Sequence, residues 1–282
     1  MLGKRALLAC ETDDDPTEKR AKLSETWPDW VVEANHGKQL KTRTFKPIAV
    51  YKPVGSSPKP GGIRVLRIYN RFSKVDAELK KWPSVPGYER YNVCKNNKYQ
   101  ALSPMVLGPV YDENGELFAE NVEDAWQCSK VFTSHLNGCS VDSMEWVKNW
   151  QEWSKRGRFS KEARRHRQLQ RGDQTLFSYY MGDKLTYVQA RKRMYCRWYQ
   201  QTVVETDAFK DLKARHMDGI DLLLLEYDGL DRNDPEQNKD LDRESLHTFL
   251  NDPHTIFGHG LVLACLLLDL PLWEEETLKQ DD

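Results

Sequence analysis

Between Glu120 and Phe132 the apolar and polar positions recur with the period of a helix. Val122, Ala125, Ser129 and Phe132 fall three or four residues apart and would face a core. Glu123, Trp126, Gln127 and Lys130 recur at i, i+3, i+4 and i+7 and share another side. The pattern predicts one amphipathic helix over 121–136. An acid, an indole, an amide and an ammonium on one face suit a sugar or nucleotide ligand. The same spacing also describes an ordinary amphipathic helix with a solvated charged edge.

Patterning elsewhere supplies the remaining elements. Alternation over Ile63–Tyr69 predicts a strand, and the apolar run within Asp221–Tyr227 predicts a buried one. Trp146, Trp150 and Trp153 lie at i, i+4 and i+7, a stripe expected to pack into the core against the 121–136 helix. Tyr187, Ala190, Met194 and Trp198 share a helical register over 187–201, with Arg191, Lys192, Arg193 and Arg197 on other faces. Leu261–Leu268 is an apolar run too short to span a bilayer, so no membrane is expected among the partners. Tyr51–Gly62, with three prolines and several Gly and Ser, reads as a linker. The domains expected are therefore a polar tail over 1–25, an extension and linker over 26–62, a folded domain over 63–270 and an acidic tail over 271–282. Residues 228–244 read as an acidic loop insertion within that domain.

Composition narrows the class. Of the 282 residues 30% are charged, yet the formal net charge is −1, and the mean hydropathy is −0.75. The charge is unevenly spread. The first fifteen residues and 228–244 are acidic, whereas 155–171 is basic, with Arg164, Arg165, Arg167 and Arg171 forming either a solvated helix face or a phosphate-binding one. The six cysteines are scattered without a Cys-x-x-Cys pair, so reduced thiols are expected and no metal site is predicted. No secretory leader is read at the start of the chain. Instead Lys4-Arg5 and Lys19-Arg20-Ala21-Lys22 form two basic clusters in a polar tail. An import receptor reads such clusters as extended chain, so a nuclear location is expected; a randomly charged tail would look similar.

The order of certain motifs resembles the NADAR family, the YbiA-like N-glycosidases. Leu102-Ser103-Pro104, then Gly115-Glu116-Leu117-Phe118, then the segment from Val122 through Glu123, Gln127 and Lys130 to Phe132 follow the order of the family's first motif. Met194 with Arg197-Trp198-Tyr199-Gln200 is similar to a later family helix, and Leu222–Glu226 to its Leu-Val-Glu strand. Phe257-Gly258-His259-Gly260 before Leu261–Leu268 is similar to its Trp-Gly-x-Gly loop and apolar helix. The resemblance covers about residues 63–270. The chain departs from the family at Asp124, where the family has His, and at Phe257, where it has Trp; Asp252 lies near, but not at, a family Asp.

The resemblance implies an α+β, mainly helical, compact single domain with a few short strands. It also implies cleavage of an N-glycosidic bond in an ADP-ribosylated or ribosylamino substrate. Such cleavage passes through an oxocarbenium-like centre that a carboxylate must stabilise, with no cofactor. Glu123 matches the family glutamate and is the candidate catalytic residue. Trp126 would stack on a base or ribose, Gln127, Gly258 and His259 would border the ligand, and Lys130 and Arg197 would pair phosphate oxygens. Two functions are expected. The first is a nuclear regulator of gene expression that binds an ADP-ribose-like or nucleotide ligand, with a nucleic acid or chromatin protein as a further partner. The basic clusters, the acidic insertion and the departures from the family favour it. The alternative is an active hydrolase, favoured by Glu123, Gln127 and Lys130. A sequence-specific DNA binder is disfavoured, because no zinc, basic-zipper or homeodomain pattern is present.

Overall fold

Strand β8 (Leu222–Glu226), buried along its whole length, organises the domain. Four consecutive leucines before Glu226 suit a strand covered on both faces, the signature of a parallel sheet interior. Strand β1 (Ile63–Arg67) lies parallel on one side of it and β2 (Glu89–Asn92) on the other, in the order β1-β8-β2. Leu66, Ile68, Cys94, Leu223 and Leu225 form a core cluster there.

This computed structural model describes residues 59–68, 83–94, 99–159 and 173–272. The import-like residues Lys4, Arg5, Lys19, Arg20 and Lys22, the extension through 58, Tyr69, the arginine-rich 160–172 segment and the tail from 273 lie outside them. The chain divides into two compact units. Of the smaller, Met1–Thr44 with Met181–Asp183, only the last three residues are described, with positive φ at Met181 and Gly182. The larger unit, Phe45–Tyr180 with Lys184–Asp282, carries the parallel sheet and the helices.

Short strands β3 (Val110–Tyr111) and β4 (Leu117–Ala119) pair antiparallel, as do β5 (Lys130–Phe132) and β6 (Thr175–Tyr180); β7 spans Asp183–Leu185. Helices are α1 (Val122–Cys128), α2 (Thr133–Leu136), α3 (Trp146–Arg158), α4 (Tyr187–Ala190), α5 (Arg197–Val203), α6 (Asp207–Met217), α7 (Arg243–Asn251) and α8 (His259–Leu267). A π-helical segment, Arg191–Cys196, joins α4 to α5 without a break. Helices and strands in small sheets together make the mixed, α+β class expected. Among the described residues no helix is long and apolar enough to cross a membrane.

Three elements differ from the patterning. The single helix expected over 121–136 is instead α1, β5 and α2. Helix α1 stops at Ser129, whose hydroxyl donates to the Trp126 carbonyl at 2.8 Å, and Val131 and Phe132 are captured by the ladder of β6. The tryptophan stripe lies on α3, with Trp146 and Trp150 buried, but Trp153 is only partly so. Trp146 packs edge-on against Phe177 and Tyr179 of β6, and Trp153 rests on Phe132 and His135. Gly157, three turns on, is where α3 meets α1, because a Cβ there would run into the Cys128 sulfur. The acidic 228–244 segment is not merely a surface loop: Leu230 and Leu241 are buried, the Leu241 amide donates to the Ile63 carbonyl at 2.8 Å, and Asp240 pairs with Arg64 at 2.8 Å. Its last two residues already belong to α7, capped by Asp242.

Helix α8 is apolar around its whole circumference and is buried from Gly260 through Leu267. Such a helix belongs inside a domain. It packs on β1 and β8, which brings its N-terminus to the carboxyl end of β8. In open parallel sheets that end is where ligands gather.

Candidate functional site

A cavity of about 110 Å³ opens beside the carboxyl end of β8. Its lining comes from α1 (Glu123, Trp126, Gln127), from the helix over 187–203 (Tyr187, Arg191, Tyr195), from Asp228 just past β8, and from Ile256, Phe257 and Gly258 ahead of α8. Glu123, only 5% exposed, is on the buried side, whereas Asp228 and Ile256 are exposed.

Helix α1 is fixed at its first turn. The Asn121 side chain accepts the Asp124 amide at 2.8 Å and donates to the Asp124 carboxylate at 2.8 Å, forming an N-cap. The Ser103-Pro104 turn holds the same end, since the Glu123 amide donates to the Pro104 carbonyl at 2.9 Å. Asp124 is thereby a capping partner, turned from the cavity. From this anchored turn a chain of hydrogen bonds runs outward. The Lys130 ammonium donates to Gln127 Oε1 at 2.9 Å, and Gln127 Nε2 donates to Glu123 Oε1 at 3.2 Å. Lys130 belongs to β5, yet its ammonium stays 5.0 Å from the Trp126 ring centre. It therefore reaches Glu123 through an amide rather than lining the cavity itself.

Arg197 is not brought to this cavity. It lies two residues beyond Tyr195, about 200° further round a helix of 3.6 residues per turn, and its Nη1 stands 3.7 Å from Glu113. Arg193, two residues before Tyr195, grips the same Glu113 at 2.9 Å. The lining residues Tyr187, Arg191 and Tyr195 are instead spaced by four. In a plain α-helix that spacing drifts around the axis, but i→i+5 bonding over Arg191–Cys196 makes each turn longer than four residues and brings Tyr195 back into line. Burial pushes the Tyr195 phenol well above its ordinary value, and the charges of Glu123, Glu226 and Asp228 add to the shift. The hydroxyl is thus a proton donor facing an acidic surround.

His259 is placed behind the cavity, not on its wall. Its Nδ1 lies 2.9 Å from Glu226 Oε2 and its Nε2 2.9 Å from the Val93 carbonyl. A carboxylate beside one ring nitrogen and a carbonyl beside the other favour the protonated ring. Burial by itself lowers the histidine value, but the Glu226 carboxylate at that distance, then Val93 and Asp228, outweigh it and raise the value above 6.5. Glu226 is fully buried; the His259 ring stands within ion-pairing distance of it, but neither carboxylate oxygen has a partner of hydrogen-bond geometry.

The pair explains Gly258. Its φ of −80° is open to any residue, but an added Cβ would stand 2.6 and 2.7 Å from the two Glu226 oxygens. Gly258→Ala is expected to destabilise the fold by about 1–3 kcal/mol through this overpacking. A thermal melt equal to that of the parent chain would refute the close approach.

Tyr187, Arg191, Tyr195 and Asp228 belong to the site although the sequence pattern does not single them out for it. The four-residue spacing of Tyr187, Arg191 and Tyr195 is a visible signal; for Asp228, lost among other acids, there is none. Asp252 is turned inward on its own loop, accepting the His254 amide at 2.9 Å and the Thr255 hydroxyl at 2.6 Å. Among the described residues no group of three His, Cys, Asp or Glu is placed to hold a metal. No protein-family model, curated protein or solved structure matches the chain.

Proposed function

We propose that the cavity receives the ribose ring of an ADP-ribose-like or nucleotide ligand and that the chain hydrolyses an N-glycosidic bond there, on a NADAR-like fold. The observation that carries this reading is Glu123, a buried carboxylate on the wall of a small aromatic-sided cavity that also holds Asp228. Size supports a single ring, since a cavity of roughly 150 Å³ takes one benzene and this one measures about 110 Å³. The remainder of a larger ligand would lie across the exposed Tyr187 and Ile256 at the mouth.

In the reaction the C1′–N bond breaks and its electron pair leaves on nitrogen. The positive charge that develops across C1′ and the ring oxygen faces Glu123, held in place by Gln127 and, through it, Lys130. Water then bonds to C1′. One of its protons passes to Asp228 and from there to the departing nitrogen, so that the sugar leaves with a hydroxyl at C1′, the base leaves as N–H and Asp228 ends as it began. The test is release of free base from an ADP-ribosylated or ribosylamino substrate, with ADP-ribose titrated against the parent chain and Glu123→Gln.

A second reading is a nuclear regulator of gene expression that binds such a ligand without turning it over. It is favoured by Lys4-Arg5 and Lys19-Arg20-Ala21-Lys22, which fit an import receptor, and by the departures Asp124 and Phe257 from the family pattern. With both clusters changed to alanine, a fluorescent fusion is expected to leave the nucleus; an unaltered fusion found in the cytoplasm removes this reading.

A further inference from the structure

The cavity wall made by Ile256, Phe257 and Gly258 is not held by a backbone ladder. Among the described residues, neither Ile256 nor Phe257 makes a backbone-to-backbone hydrogen bond. Arg191, 1% exposed, takes over that part. Its Nη1 donates to the carbonyls of Phe249 and Leu250 at 2.8 Å and of Asp252 at 3.2 Å; its Nη2 donates to Asp252 at 3.2 Å and to Thr255 at 2.8 Å. Two of these carbonyls belong to the last turn of α7, where acceptors lack partners within the helix. The others belong to the segment that leads into Ile256. The guanidinium also lies 4.4 Å from the Tyr187 ring centre and 5.2 Å from that of Phe257. One planar group therefore ties together the helix that carries Tyr187, the end of α7 and the approach to the wall.

Glu123 is placed by other means. Its amide donates to the Pro104 carbonyl at 2.9 Å, its helix is capped by Asn121, and its carboxylate accepts from Gln127 at 3.2 Å. None of these ties passes through Arg191, so the two sides of the cavity are set independently. The fork is specific to arginine. An ammonium in its place keeps the charge, but three donors on one atom cannot serve both the end of α7 and the Asp252–Thr255 carbonyls. We propose that Arg191 is a positioning residue that fixes the Ile256–Gly258 wall against the ligand, so that its loss lowers affinity while Glu123 keeps its place. It touches no reacting atom. Its effect passes through the Phe257 ring and the Thr255 carbonyl. The proposal rests on the glycosidase reading only in naming a ribose-bearing ligand.

The test compares the full parent chain with Arg191→Lys by amide hydrogen exchange, by calorimetry with ADP-ribose and by turnover of an ADP-ribosylated substrate. Exchange is expected to quicken over 249–258 and to stay unchanged over 122–128. The KM of the substrate and the Kd of ADP-ribose should rise together about 10- to 100-fold, the scale of a misplacement near 1 Å. The kcat should change less than about threefold, because Glu123 is anchored elsewhere. A residue that merely supports the fold would lower the active fraction, and with it the apparent kcat, at unchanged KM. That result, or exchange quickened throughout the chain, overturns the proposal. If the parent chain binds ADP-ribose without releasing base, the hydrolase falls and the change in Kd decides on Arg191. If it does neither, the ligand reading falls and the exchange pattern alone decides whether Arg191 places this wall. Should Arg191→Lys fail to fold, the guanidinium signals of the ¹⁵N-labelled parent chain decide. Separate Nη–H signals that move when ADP-ribose is added support the assignment. A single merged signal, or signals indifferent to bound ADP-ribose, overturn it.

Discussion

Glu123→Gln is expected to lower the rate of base release about 10²- to 10³-fold while changing ADP-ribose affinity less than tenfold, the scale seen when one electrostatic contact to a transition state is removed. The substitution keeps size and hydrogen-bonding reach and deletes only the negative charge. A ground-state ribose is neutral at C1′, so little binding depends on that charge; the oxocarbenium-like centre depends on it strongly. The Gln127 amide, 3.2 Å from Glu123 Oε1, finds an acceptor in the new side chain, so the wall should keep its shape. Single-turnover kinetics with calorimetry measure the two effects separately. Equal loss of rate and affinity would assign Glu123 to uniform ligand binding, and an unchanged rate would dismiss it from the chemistry.

His259→Ala is expected to destabilise the fold by about 3–5 kcal/mol at pH 6, because it strands the Glu226 carboxylate in the interior without its counter-charge. Glu226 is wholly buried, and its ion pair with His259 is 2.9 Å long. Changing both residues, His259→Ala with Glu226→Gln, should cost less than His259→Ala alone, since no charge is then left buried; urea unfolding of the four chains closes the cycle. The pair also sets a pH dependence. The folded imidazolium is held above 6.5 by Glu226, Val93 and Asp228, against the burial that opposes it. The folded state therefore binds its proton more tightly than the unfolded chain does. That contribution is complete below pH 6.5 and drains away as pH rises through the folded value. The stability gap between the parent and the double variant should narrow over that range. A gap that widens with pH would show the ring to be neutral in the fold.

Much of the candidate site is legible in the sequence because it is local. Glu123, Trp126 and Gln127 lie within five residues of one another, and the 3.6-residue period alone puts them on one side of a helix. The all-leucine β8 is equally plain, since burial on every side leaves no polar position in the pattern; the apolar run of α8 is plain as buried but reads as helix or strand alike. For Lys130 the pattern gives the right neighbourhood on the wrong element: its β-strand owes its existence to β6, more than forty residues away, and no local period reports such a partner. Arg197 escapes the pattern for a subtler reason. It lies on a helix, as the register of Met194 and Trp198 indicates, but which arc of a helix faces a cavity is set by what packs on it.

Sequence by itself therefore determined the elements that own their cause: the helical turns that carry the acid, indole and amide, the buried strand, the apolar run and the glycine turn before it. Only the tertiary structure decided that Arg191 serves the cavity and Arg197 serves Glu113, that Asp228 shares the cavity wall with Glu123, and that His259 lies behind the wall as the partner of Glu226. Those assignments depend on residues brought together from distant parts of the chain by the burial of α8 against β8. A charge in a sequence carries no mark of whether it will meet water, a carbonyl or another charge. Its environment, and with it its chemistry, exists only once the apolar surfaces have closed around it.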